Sequence, residues 1–254
     1  MTSSDFRRKL SYIGHSELAI LSPFAPSSVD RFVAALRLPE GGRALDVGCG
    51  KGEWLIRIAQ RYAVTGLGVD RAAPFIEAAR TRARDCLGER AAACEFRCEA
   101  SSDQLFEDAA YDLAFCIGAT SALGGFDAAL AALARAAKPD GLVAIGEGFW
   151  ERPPAAELHE ALGEAADGMY DYAGVIAAAA SHGLVPQYAI TSSQGEWDEY
   201  EWSYRSAIER YAREVSDPDA PALLEASRAD LDRYLRLFRG TVGFGVFLFR
   251  RPAQ

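Results

Sequence analysis

The chain has 254 residues, half of them apolar and a quarter charged, and a formal net charge of −9. That size carries one large domain, or a domain with a cap, around a sizeable core. Phosphate backbones are held by clustered Lys and Arg, and no such cluster rises above the acidic background, which argues against a nucleic-acid partner. No apolar run reaches membrane-spanning length, and the N-terminal residues lack a signal-like apolar core. The five cysteines stand at 49, 86, 94, 98 and 116. Their odd number and the lack of further ligands nearby favour free, mostly buried thiols over disulfides or a metal site. A cytoplasmic protein without metal or membrane partner is expected.

In chain order, residues 1–40 read as an N-terminal helical segment. A Ser22-Pro23-Phe24-Ala25-Pro26 break precedes a predicted helix at 27–37. From residue 43, strand and helix signals alternate. Strands are predicted at 43–47, 64–70, 93–98, 111–117, 141–147 and 184–190, with helices at 51–62, 74–87, 125–137 and 170–182 between them. Short apolar strands separated by helices of this length imply a parallel sheet covered on both faces. Lys138-Pro139-Asp140-Gly141 reads as the turn that stops one helix and starts the next strand. Residues 195–239 read as an insertion of two helices broken at Asp217-Pro218-Asp219. In the first, Trp197, Tyr200, Tyr204, Ile208 and Tyr211 recur at helical spacing and form one stripe, either core packing or a face turned to the site. A glycine-studded strand at 242–250 closes the chain.

The densest signal is Ala44-Leu45-Asp46-Val47-Gly48-Cys49-Gly50-Lys51-Gly52. A buried strand carrying one acid runs into a turn with almost no side chains, and a helix starts at once with Trp54, Leu55 and Ile58. This is how backbone is brought close to a ligand. A dinucleotide fingerprint needs its third glycine one residue later, where Glu53 stands.

With these elements in place the chain resembles the class I S-adenosylmethionine-dependent methyltransferases. Leu45 to Gly52 is similar to that family's first motif, Gly68-Val69-Asp70 to its second, and Glu99-Ala100 to its acid-then-small adenine contact. Tyr111-Asp112-Leu113 opens its fourth strand, and Lys138 to Leu142 is its turn before the fifth. Many members have Asp where this chain has Glu99. The layout is similar to small-molecule methyltransferases of the ubiquinone-biosynthesis type and their uncharacterised bacterial relatives.

The resemblance implies an α/β fold, a doubly wound, Rossmann-like sheet of seven mostly parallel strands. Its last strand is antiparallel, and a helical cap covers it. Residues 41–194 and 240–254 form the cofactor domain, with residues 1–40 and 195–239 as candidate lids; of these, residues 1–25 and 195–215 are expected to pack over the carboxyl edge and gain protection when the cofactor binds. It further implies S-adenosyl-L-methionine held by Asp46, Gly48, Cys49, Gly50, Asp70, Arg71, Glu99, Ala100, Cys116 and Ile117. Asp70 accepts the ribose hydroxyls, so its alanine variant is expected to bind the cofactor weakly with little loss of unliganded stability. Glu99 accepts the adenine amino group or is a surface acid, and Asp46 meets the cofactor's amino group or orients the loop.

The implied reaction moves a methyl group to a small-molecule acceptor by in-line displacement, which needs alignment more than acid–base help. If a proton must leave the acceptor, His15 in the N-terminal segment and Glu147 at the end of the fifth strand are the catalytic candidates. His159 and His182 fit exposed helix positions better. Gly118-Ala119-Thr120 lacks the Asn/Asp-Pro-Pro-Tyr signature of amino methylation on bases and protein amides, which again points to a small molecule. Tyr12, Phe24, Phe149, Trp150, Tyr170 and Trp197 would suit a planar acceptor, or belong to the core. Three alternatives stay open: transfer of another group, as by aminopropyltransferases; a nicotinamide-dependent oxidoreductase; and a binding module without catalysis.

Overall fold

Alternating apolar strands and amphipathic helices must bury both faces of one sheet, and they do. The computed structural model describes residues 3–100 and 106–253. The strands are β1 (Arg43–Val47), β2 (Thr65–Asp70), β3 (Cys94–Cys98), β4 (Tyr111–Ile117), β5 (Ala137–Trp150), β6 (Val185–Thr191) and β7 (Val242–Arg250). They form one sheet in the order β3-β2-β1-β4-β5-β7-β6. β1 pairs in parallel with β2 and β4, and β5 in parallel with β4. β7 is antiparallel to both β5 and β6, as expected for a strand that enters without a right-handed crossover helix.

Period-2 alternation divides the core. Ala44, Leu113, Phe115, Val246 and Leu248 face α2 (Pro26–Ala35), α3 (Glu53–Tyr62) and α4 (Ala73–Leu87). Leu45, Val47, Cys116, Ile145, Phe247 and Phe249 face α5 (Phe126–Ala136) and α8 (Tyr172–Ser181). This is the doubly wound arrangement, with the parallel strands' carboxyl ends along one edge.

Several elements differ from expectation. β5 runs from 137 to 150, beyond the predicted 141–147, because its outer half pairs with Val242 to Gly245 of β7. Glu147 is therefore inside the strand, not at its end. The expected turn at 138–141 is a bulge at the start of β5. The register slips between Tyr111 and Leu113, and Asp140 takes φ +60°. Short helices α6 (Ala156–Leu162) and α7 (Glu164–Asp167) follow β5.

The N-terminal segment begins with α1 (Ser3–Gly14), a helix not predicted separately within residues 1–40. The insertion forms α9 (Gln194–Glu214) and α10 (Ala220–Arg233), followed by a π-helical turn at Tyr234–Phe238. Ser193 and Glu196 make a reciprocal capping box that fixes where α9 starts. Leu10 and Ile13 of α1 share a small apolar cluster with Ile208 and Leu223 of α9 and α10. Lys9 bridges Asp217 and Asp219 in the α9–α10 turn, at 2.6 and 2.7 Å. The two segments predicted as separate lids thus pack as one three-helix cap.

Candidate active site

The carboxyl ends of β1, β2 and β4 meet at the glycine turn. Gly48 has φ +75°, and a Cβ there would lie 2.2 Å from the Cβ of Ala119 in the loop after β4. Gly50 has φ +52°, and its Cβ would lie 2.6 Å from a Leu21 methyl carbon. Only glycine fits both the backbone conformation and the close approach. The amides of Gly48 and Cys49 donate to the Val69 carbonyl, at 2.8 and 3.0 Å, so the turn is locked to the end of β2.

Asp70 completes that lock. Its carboxylate accepts the Gly50 N–H at 3.0 Å and the Ala72 N–H at 2.8 Å. Each oxygen keeps a lone pair for another donor. Because Asp70 braces the turn, its alanine variant should also lose unliganded stability, a revision of the expectation from sequence. The Glu99 N–H donates to the Asp70 carbonyl at 3.0 Å, which brings the exposed pair Glu99 and Ala100 beside the end of β2. Arg71 is exposed next to them.

Asp46 is almost wholly buried, and no hydrogen-bond donor among the described residues reaches its carboxyl. Burial, with the nearby Asp70 charge, pushes its pKa well above the usual carboxylate range. A buried acid without a donor is costly unless it is neutral or meets a cation. Asp46 lines a cavity of about 30 Å³ with Gly48, Gly50, Lys51, Trp54, Ile117, Leu21 and Ser22. Glu53, also at this wall, is neutralised by Arg57 at 2.8 Å and by Arg82. The glycine cradle, the donorless Asp46 and the two open lone pairs on Asp70 suit an amino acid joined to a nucleoside.

Cys49 and Cys116 are buried, and burial raises both thiols' pKa. Cys116 points into the α5/α8 face, whereas its neighbour Ile117 packs on the α2/α3/α4 face and reaches the cavity. Glu147 lies on the Cys116 side by alternation along β5. Its Oε2 accepts from the Thr120 hydroxyl at 2.5 Å and its Oε1 from the Gly148 N–H at 3.1 Å.

His15 follows α1 and is held on three sides. Its Nδ1 lies 2.8 Å from the Ser11 carbonyl, an acceptor only, so Nδ1 carries the proton and Nε2 accepts the Tyr200 O–H at 2.7 Å. The Tyr204 ring stacks edge-on at 4.9 Å, in space that a side chain on Gly14 would fill. Burial and the Lys51 charge lower the His15 pKa to about 4, so the imidazole is neutral at physiological pH. The other aromatics divide. Phe24 and Trp197 both meet Phe244 edge-on above the carboxyl edge, while Phe149 and Tyr170 pack with the α5/α8 core.

Sequence reasoning missed three groups here. Lys51 is buried and donates to the carbonyls of His15, Ser16 and Leu18 at 2.6, 2.9 and 2.9 Å. Ser22 is buried with its hydroxyl unpartnered. Tyr200 stood in the aromatic stripe, but nothing local announced its bond to His15.

Fold and site together define a nucleotide-type cofactor domain with a helical cap, and the chain belongs to the class I S-adenosylmethionine-dependent methyltransferase family. It is an enzyme of that class. The methyltransferase-domain family matches residues 45–143. The Escherichia coli K12 uncharacterised protein YjhP is 32% identical over 241 residues, covering 92% of this chain and 95% of YjhP. The crystal structure of a Geobacter sulfurreducens SAM-dependent methyltransferase, in complex with S-adenosyl-L-homocysteine, aligns with a TM-score of 0.87 at 27% identity. It covers 95% of this chain and 97% of that one. The Thiobacillus denitrificans counterpart, also with S-adenosyl-L-homocysteine, aligns at 0.85 and 27% identity, over 94% and 96% of the two chains. The oxidoreductase and non-catalytic alternatives fall away.

Proposed function

We propose that the enzyme methylates a nucleophilic atom of a small-molecule acceptor held between the carboxyl edge of the sheet and the α1/α9/α10 cap. The observation that carries this reading is the cap itself. His15, Tyr200, Phe24, Trp197 and Phe244 close over the edge on which Asp46, Asp70 and the glycine turn lie. A cap laid over the cofactor edge suits a metabolite rather than a polymer, and the net charge of −9 agrees. The cytoplasm is the compartment that fits free, unpaired cysteines.

When bound, S-adenosylmethionine supplies an already activated methyl group. The residues proposed to hold it are Asp46 at its ammonium, Asp70 at the ribose hydroxyls and Glu99 with Ala100 at the adenine. Gly48, Cys49 and Gly50 form the cradle, Arg71 and Ile117 complete the surround, and Cys116, whose side chain faces α5 and α8, takes part through its backbone alone. The cap's task is to align the acceptor and exclude water.

Where the acceptor carries a proton, the Tyr200–His15 pair takes it in this reading. The acceptor donates to the Tyr200 oxygen while the Tyr200 proton moves to Nε2 of His15, leaving a phenol and an imidazolium. Glu147 is the second proton acceptor in this reading, reached through the Thr120 hydroxyl. The test is transfer of labelled methyl from S-adenosylmethionine across fractionated small-molecule extracts, with His15→Gln and Glu147→Gln run on any hit. Transfer confined to protein or nucleic-acid fractions would sink the small-acceptor reading.

A further inference from the structure

Between α1 and α2 the chain crosses the glycine turn as an irregular strap, residues 15–25. Both ends are pinned by polar groups from elsewhere in the fold. At the first, the Lys51 ammonium spends its three protons on the carbonyls of His15, Ser16 and Leu18. At the second, a Glu196 oxygen accepts the Ala25 N–H at 3.0 Å and the Ser28 hydroxyl at 2.6 Å. A lysine beside a cofactor turn could be expected to reach for the ligand. This one is fully occupied by the strap.

Between the two pins, Leu21 covers Gly50 and Ser22 faces the cavity bounded by Asp46, Gly48 and Gly50. The Ser22 hydroxyl is buried without a partner, a state native folds keep where a ligand or water completes the bonding. The cavity, about 30 Å³, has room for a water or two, so a larger ligand entering it must shift the strap. Asp46 and Ser22 bound the same cavity, and an acid with an unpartnered hydroxyl beside it matches the two ends of an α-amino acid. The carboxyl of Asp46 answers the ammonium, and the O–H of Ser22 answers the carboxylate.

We propose that Ser22 binds the amino-acid end of the cofactor, and that Lys51 is the positioning residue that holds the strap so that Ser22 reaches it. This rests on the assignment of the glycine turn to the methionine part of S-adenosylmethionine. The experiment is calorimetric titration of the full-length protein with two probes, S-adenosylhomocysteine and 5′-methylthioadenosine, which shares the nucleoside but lacks the amino acid.

Ser22→Ala should weaken S-adenosylhomocysteine about fivefold, the size of one neutral hydrogen bond, and leave methylthioadenosine unchanged. Lys51→Met should weaken S-adenosylhomocysteine at least about tenfold and speed amide exchange at residues 16–22 in the free protein. Equal losses for both probes, or wild-type affinity in Ser22→Ala, would overturn the proposal while leaving the cofactor assignment standing. No binding of S-adenosylhomocysteine by the wild type would remove both. Should Lys51→Met not fold, the two-probe result for Ser22→Ala decides alone.

Discussion

β4, β5 and β7 bury Phe115, Ile145, Phe247 and Phe249 almost completely, whereas α1, α9 and α10 share a smaller apolar cluster built on Leu10, Ile13, Ile208 and Leu223. The cap makes up the difference with charge. Lys9 bridges Asp217 and Asp219, Arg210 pairs with Glu17, and Tyr211 donates to Asp217 at 2.6 Å. Ion pairs at exposed positions contribute little each and weaken with salt, while apolar burial does neither. The sheet thus has the packing of a fixed platform for the cofactor turn, and the cap is held by the weaker set of contacts. A site that must admit two substrates and then exclude water needs both behaviours.

The largest expected effect separates the two regions directly. Phe247→Ala, in the sheet, should cost about 3–5 kcal/mol of global stability. Ile208→Ala, equally buried but in the cap, should cost about 2–5 kcal/mol that appears as local opening. Hydrogen exchange is the check: Ile208→Ala should raise exchange in α1, α9 and α10 and spare β4 and β5. Equal acceleration throughout would mean that cap and sheet unfold as one unit, and the contrast drawn above would go.

Next in size is Asp70→Ala, on the platform. Each lost charge-assisted bond to a ribose hydroxyl is worth about 1.5–3 kcal/mol, so affinity for S-adenosylhomocysteine should fall by two orders of magnitude or more. The melting temperature of the free protein should fall as well, because Gly50 and Ala72 lose their acceptor. Unchanged affinity would refute the ribose assignment.

The smallest effect is a pH dependence confined to the cap. His15 titrates near 6.5 when unfolded and is lowered to about 4 in the fold. Between those values the unfolded segment binds more protons. The stability His15 contributes is therefore complete above pH 6.5 and lost as pH falls towards 4, by up to about 3 kcal/mol. Exchange in α1 should accelerate from pH 7 to pH 5 after correction for intrinsic rates, and His15→Gln should flatten that dependence. The same acceleration in His15→Gln would assign the effect to another group, with the cap's carboxylates the next to test.

The sequence by itself determined the strand-turn-helix of residues 43–62, the five motifs in order and the antiparallel closing strand. Each is written in local terms: apolar period, glycines where φ is positive, and an acid at a strand end. From these came the cofactor class and the positions of Asp46 and Asp70. Only the tertiary structure decided what Lys51, Ser22 and Tyr200 do. Lys51 meets carbonyls more than thirty residues upstream, and Tyr200 meets His15 across 185 residues. A lysine, a serine or a tyrosine has the same local pattern whether it faces solvent or completes a distant hydrogen bond. The choice is made only when α1 and α9, from opposite ends of the chain, pack over the same edge of the sheet.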